Sequence, residues 1–245
     1  MKNQYFGDVG DYGKYGLLRF LAKHGISLAI NWYLTPDDAS NDGNIRGYLE
    51  DAKNRIYDPE LYDTLREMRV RHEKDVKSFA RRETIPGAIY YGEIVEPIPD
   101  DRRRSVIEKK MARNSWHQAA LGACAGPELV FMDPDNGLRP GSPSAQKHAT
   151  KYVYANEVCD YYDRGQNIVY YCHKGRRTAP QWDRTKHVLL EYRPHASLMG
   201  VTYHRGTQRS YIFMVHPEQE ARYRFLLKEL LKTAWADCFT DEFMS

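Results

Sequence analysis

Cysteine is scarce in this chain of 245 residues: Cys124, Cys159, Cys172 and Cys238 are widely spaced, and no two form a C-x-x-C pair. Neither a zinc cluster nor a disulfide framework is encoded, which points to a reducing, intracellular setting. Long apolar runs are missing too. No window approaches the about 18 consecutive apolar residues of a membrane span, so no membrane partner is expected. The opening MKNQYFGDVGDYGKYG is polar and glycine-rich where a secretory signal would be apolar, and a cytoplasmic location follows as the expectation. Neither sign of charge dominates, since 36 Lys and Arg face 33 Asp and Glu for a formal +3. A nucleic-acid partner would therefore be met by local basic clusters, not by a global field. The P-loop pattern G-x-x-x-x-G-K-[ST] and the EF-hand pattern are both absent, so no metal site is expected. No repeat, low-complexity tract or linker divides the chain, and its length suits one α/β domain over residues 1–245.

What is present is an alternation of short apolar runs with segments of helical period, the signature of a mostly parallel sheet with helices on both faces. Strands are predicted at 26–34, 88–95, 128–133 and 167–173, followed by SLMGVTYH and RSYIFMVH as an antiparallel hairpin around RGTQ. Helices are predicted at 11–24, 58–82, 100–124, 145–164, 180–192 and 218–236. Asp58-Pro59 places a capping carboxylate before a proline at the first helical position, and Gly25 and Gly165 each stop a helix just before a strand. Residues 35–57 are polar and turn-rich, opening a loop and helical insertion at about 35–85. The strands of a parallel sheet all open onto one edge, so TPDDASNDGN, DPDNGL and HKGRR should converge there.

DPDNGL carries the strongest chemical signal. Pro-Asp-Asn-Gly is good turn chemistry and accounts for Pro134, Asn136 and Gly137, but a buried strand has no such use for Asp133. Asp133, Asp135 and Asn136 are the candidate catalytic residues, able to orient a water, stabilise positive charge or bond a base edge. In FGDVGDYGKYGLLRFL, Asp8, Asp11, Lys14 and Tyr15 stand among glycines at the start of a helix, where backbone can approach a ligand and anions are attracted. Asp11 as a plain helix cap is the alternative use. Asn31, Asp37 and Asn41 are further candidates for substrate binding near the end of the first strand, and His173 near the end of the 167–173 strand.

Basic residues interleaved with an aromatic follow that strand: Lys174, Arg176, Arg177, Trp182, Arg184 and Lys186. The combination suits phosphate neutralisation with base stacking, although a solvated loop would look the same. Arg102, Arg103 and Arg104 offer a second basic surface, extended by Lys109, Lys110 and Arg113.

In order and motif the chain resembles the class I methyltransferase fold, and within it the bacterial 23S ribosomal RNA adenine-N6 methyltransferases. GDVGDYGKYGLLRFL is similar to that family's Gly-Asn-His-Ala-Asp-x-x-Lys-His helix, with Gly7, Asp11 and Lys14 in step, and NIRGYLEDAKNR is similar to the insertion after its first strand. LVFMDPDNGL stands where the family has an apolar strand ending in Asp-Pro-Pro-Tyr. The resemblance implies S-adenosylmethionine as cofactor and a flipped base as substrate. Two positions depart from it: NWYLTPDD has no glycine-rich turn, and Asp135 and Asn136 replace the proline and aromatic. The strand ending in Asp-Pro also looks like the Gln-Asp-Pro-Tyr motif of uracil-DNA glycosylases, with His173 in the place of a later histidine loop. These features direct the expectation to a cofactor-free DNA glycosylase that flips and excises a modified base, with a role in phage defence. The alternatives are an S-adenosylmethionine-dependent adenine methyltransferase of DNA or RNA, and a non-catalytic nucleic-acid-binding protein on an enzyme scaffold. Oligomeric state is not encoded in any of these patterns.

Overall fold

A computed structural model of the chain describes residues 1–38, 45–95, 105–143 and 149–243. Four strands run parallel: β1 (Leu28–Asn31), β2 (Ile89–Tyr91), β3 (Leu129–Met132) and, after the short β4 (Leu138–Arg139) and β5 (Val153–Tyr154), β6 (Asn167–Cys172). The hairpin β7 (Ser197–Tyr203) and β8 (Arg209–Val215) follows, and β9 (Phe239–Asp241) closes the edge. The order is β2-β1-β3-β6-β8-β7-β9, with β8 antiparallel to both of its neighbours. This is the expected Rossmann-like α/β arrangement, with its C-terminal antiparallel hairpin.

Register explains why both faces are covered. Ile30, Phe131, Val169, Phe213 and Met199 are successive partners across the sheet and lie in one apolar core. Their neighbours Ala29, Val130, Ile168, Met214 and Leu198 form the second. Strand side chains alternate between faces, so each face needs its own cover. The first is covered by α1 (Val9–Lys23), α2 (Pro59–Val70) and α3 (Val76–Arg81), and the second by α4 (Val106–Ala123), α5 (Ala155–Asp163) and α6 (Ala179–His187). The last helix, α7 (Glu220–Leu230), returns to the first face. Leu61, Leu65, Met68, Val76 and Phe79 of the insertion join the core of α1, so the insertion has no separate interior. Among the described residues no helix is long and apolar enough to cross a membrane.

Several predicted boundaries move, each for a local reason. The helix expected over 58–82 breaks where His72 takes φ 57° and Asp75 caps a new start by accepting the Ser78 N–H at 2.8 Å. Of the helix expected over 145–164, residues 145–148 lie outside the described residues and 149–154 are not part of α5, because that backbone is engaged by the DPDNGL loop: Asn136 donates to the Lys151 carbonyl (2.8 Å) and Val153 to that of Gly137 (3.0 Å). In α1 the cap is Asp8, which accepts the Asp11 N–H at 2.8 Å, and Asp11 instead accepts from Gly7. Asp58-Pro59, Gly25 and Gly165 act as expected.

Candidate active site

The amino end of α1 and the carboxyl end of β3 meet at one buried lysine. Lys14 comes from the second turn of α1 and Asp133 from the first position past β3, where its N–H donates to the Asn31 carbonyl at 3.0 Å. The Lys14 ammonium lies 2.6 Å from Asp11 Oδ1 and 2.6 Å from Asp133 Oδ2, with the lysine side chain 4% exposed. Burial would lower the Lys14 pKa, yet Asp11 and Asp133 hold it well above the ordinary lysine value. Burial pushes the Asp11 carboxyl up; Lys14 opposes that shift and the nearby Asp8 charge adds to it. One cation thus serves two carboxylates.

Asp135 has partners of its own. Its Oδ1 is 2.8 Å from the Met1 ammonium and its Oδ2 accepts from the Thr35 hydroxyl at 3.2 Å. Burial acts to raise its pKa, but the Met1 ammonium, Lys151 and the Thr35 hydroxyl bring it below the usual carboxylate range. Both oxygens of Asp135 are engaged within the protein. In Asp133, among the described residues, only Oδ2 is.

These groups line a cleft of about 380 Å³ at the carboxyl edge of the sheet. Asp11, Lys14 and Asp133 line it together with Lys151, His173 and Arg209, which add positive or titratable groups. Arg209 opens β8 and reaches back to Asp8 Oδ2 at 3.0 Å, lying over Gly10, where any Cβ would strike its guanidinium. Tyr171 and Tyr211, register partners on β6 and β8, add aromatic surface. His173 is driven below the ordinary histidine value by burial and by the charges of Arg177 and Arg209, so the neutral ring is favoured.

Of the residues expected from sequence, Asp8, Asp11, Lys14, Asp133, Asp135, Asn136 and His173 come together in this cleft. Tyr15 packs beneath it, stacked on Phe79 at 4.2 Å between ring centroids. Asn31 turns away, donating to the Tyr161 hydroxyl at 3.3 Å and accepting from the Tyr33 N–H at 3.2 Å. Asp37 accepts the Gln4 N–H at 3.0 Å, so the start of its loop braces the amino-terminal segment. Asn41, Arg102, Arg103 and Arg104 lie outside the described residues.

The basic stretch after β6 divides. Trp182, expected to stack on bases, is instead buried in the second core with its indole N–H donating to Glu242 at 2.6 Å. An amphipathic helix needs one large apolar side chain facing the sheet, and in α6 that residue is Trp182. Arg177 folds back on the His173 carbonyl (2.9 Å), and Lys186 donates to the Glu242 carbonyl (3.1 Å). Arg176 and Arg184 remain exposed, and Lys174 is half-buried. Arg113, from the second basic surface, is buried against Glu157 at 2.7 Å.

Sequence reasoning missed Lys151, Tyr171, Arg209 and Tyr211. The available signal was strand alternation: Tyr171 with His173, and Arg209 with Tyr211, are each two residues apart and share a face.

The residues leaving β1 fit a methyl donor poorly. Trp32, Tyr33, Leu34 and Thr35 are all buried, and Met1 packs against them, accepting the Thr35 N–H at 2.8 Å. No protein-family model matches the chain, and no curated protein matches it.

Proposed function

We propose that the protein is a nucleic-acid hydrolase that extrudes a base from DNA into this cleft and cuts its N-glycosidic bond. One observation carries the reading. A carboxylate with one oxygen that has no partner among the described residues, Asp133, stands beside a buried lysine in a cleft of nucleotide-scale volume that Lys151 and Arg209 also line. Glycosidic cleavage develops positive charge on the sugar, which the Asp133 carboxylate would stabilise. Asp133 aligns the attacking water. As the C1′–N bond breaks, the water oxygen bonds to C1′, its proton passes to the carboxylate, and the base leaves with the bonding electron pair. Lys151 and Arg209 supply positive charge for the phosphates on either side of the extruded nucleotide. Asp135 serves structure, since Met1 and Thr35 occupy its oxygens.

A standard base is a poor target, because its indiscriminate removal would destroy the host genome. A modified base, such as phage DNA carries, is the coherent substrate, and phage defence the coherent role. The test is to incubate the protein with modified and unmodified phage DNA and assay abasic sites and released base. Release from modified DNA, lost in Asp133→Asn, is the expected outcome. Methyl transfer from S-adenosylmethionine with no base release would replace this reading by the methyltransferase one. DNA binding unaccompanied by either reaction would leave a binding protein.

A further inference from the structure

Two residues that line the cleft each carry a buried polar atom with no hydrogen-bond partner among the described residues: the Tyr211 hydroxyl and Nδ1 of His173. Tyr211 is fully buried, on the third residue of β8, and its hydroxyl senses the charges of Arg209, Lys14 and Asp133. Leaving such groups unpaired is costly, so their retention on the wall of a cleft points to a partner that arrives with the ligand. The ring of Tyr171 is 6.3 Å from that of Tyr211 and 6.1 Å from that of His173 between centroids. Tyr171 is thus an aromatic neighbour of both, tilted 58° to Tyr211 and 31° to His173. A neutral hydroxyl donates or accepts, and a neutral imidazole offers one nitrogen of each kind, which together match the alternating donors and acceptors along a heterocycle edge.

We infer that Tyr211 and His173 form the polar edge that reads a nitrogen heterocycle in the cleft, with Tyr171 as its aromatic wall. This rests on the excision reading only for the identity of the ligand as a nucleic-acid base. Bound there, the base turns its glycosidic nitrogen towards Asp133, and the Tyr211 hydroxyl bonds an acceptor on the departing ring.

The experiment is calorimetry of the full chain with free uracil, cytosine, 5-hydroxymethylcytosine, adenine and guanine, run on wild type and Tyr211→Phe. At least one base should bind wild type, and Tyr211→Phe should weaken that binding about tenfold, the scale of one buried hydrogen bond. The melting temperature of Tyr211→Phe should be unchanged or higher, because no bond within the protein is lost. Equal affinities in the two proteins, or no base bound by wild type, would overturn the inference. The abasic-site assay separates the two readings. No release from DNA together with the Tyr211→Phe loss rejects excision alone, whereas release from DNA together with unchanged base affinity rejects only the heterocycle edge.

Discussion

Asp11 and Asp133 share the Lys14 ammonium at 2.6 Å each, so methionine at position 14, similar in length, would remove one positive charge and strand two buried negative ones. Breaking a buried pair from one side costs about 3–5 kcal/mol, because the orphaned charge keeps its desolvation penalty. Lys14→Met should therefore lower unfolding stability by an amount in that range in urea titrations at neutral pH. Adding Asp133→Asn should recover part of the loss, since the partners form one network and their effects are not additive. Equal stability of wild type and Lys14→Met would mean that the lysine is dispensable to the fold. The same contacts show what a residue-by-residue reading of sequence can find. Asp133 is legible as an anomaly at the end of an apolar strand, but its partner is 119 positions away and nothing local pairs them.

In α1, the glycines at 10, 13 and 16 recur at a spacing of three and turn one face towards the C-terminal half of the chain. A Cβ on Gly13 would lie 2.5 Å from the Tyr203 ring, and one on Gly16 would collide with the Trp235 indole. Helix propensity favours alanine over glycine by about 1 kcal/mol, while overpacking a tight contact costs about 1–3 kcal/mol. Rigid aromatic rings make the second effect win. Gly13→Ala should lower the melting temperature and, by displacing α1 from Tyr203 on β7 and so from the β7–β8 hairpin, loosen the bond from Arg209 to Asp8. Gly122→Ala, in α4 where an added Cβ meets nothing within 4 Å, should raise it. Thermal melts of the two variants check both signs together. Elements defined by local chemistry were legible: β1, β3, β6 and the hairpin from their apolar runs, α2 from Asp58-Pro59. The breaks at 71–75 and 149–153 were less so, because apolar period runs on through the first and distant backbone bonds fix the second.

Across the whole molecule, the parallel sheet brings Asp133–Asn136 and His173 to one edge, a convergence legible from strand order, while residues 39–44 of the third loop expected there lie outside the described residues. The distribution of positive charge was not, because whether a basic or aromatic residue faces solvent depends on partners such as Glu242 and Glu157. Among the described residues of the basic stretch, Arg176 and Arg184 are exposed and Lys174 half-buried, while Lys151 and Arg209 line the cleft. If these cations hold duplex phosphates, log affinity should fall linearly with log salt, with a slope of about −0.9 per contact. Arg176→Gln should weaken binding to every DNA sequence alike and reduce the magnitude of the slope by about one. Trp182→Phe should leave affinity and slope unchanged, since the indole belongs to the core, though losing its bond to Glu242 should cost stability. Anisotropy of a labelled duplex between about 50 and 200 mM salt measures both quantities. An Arg176→Gln slope equal to that of wild type would move the DNA path off the β6–α6 loop, and a weakened Trp182→Phe that still melts as wild type would return the indole to the interface.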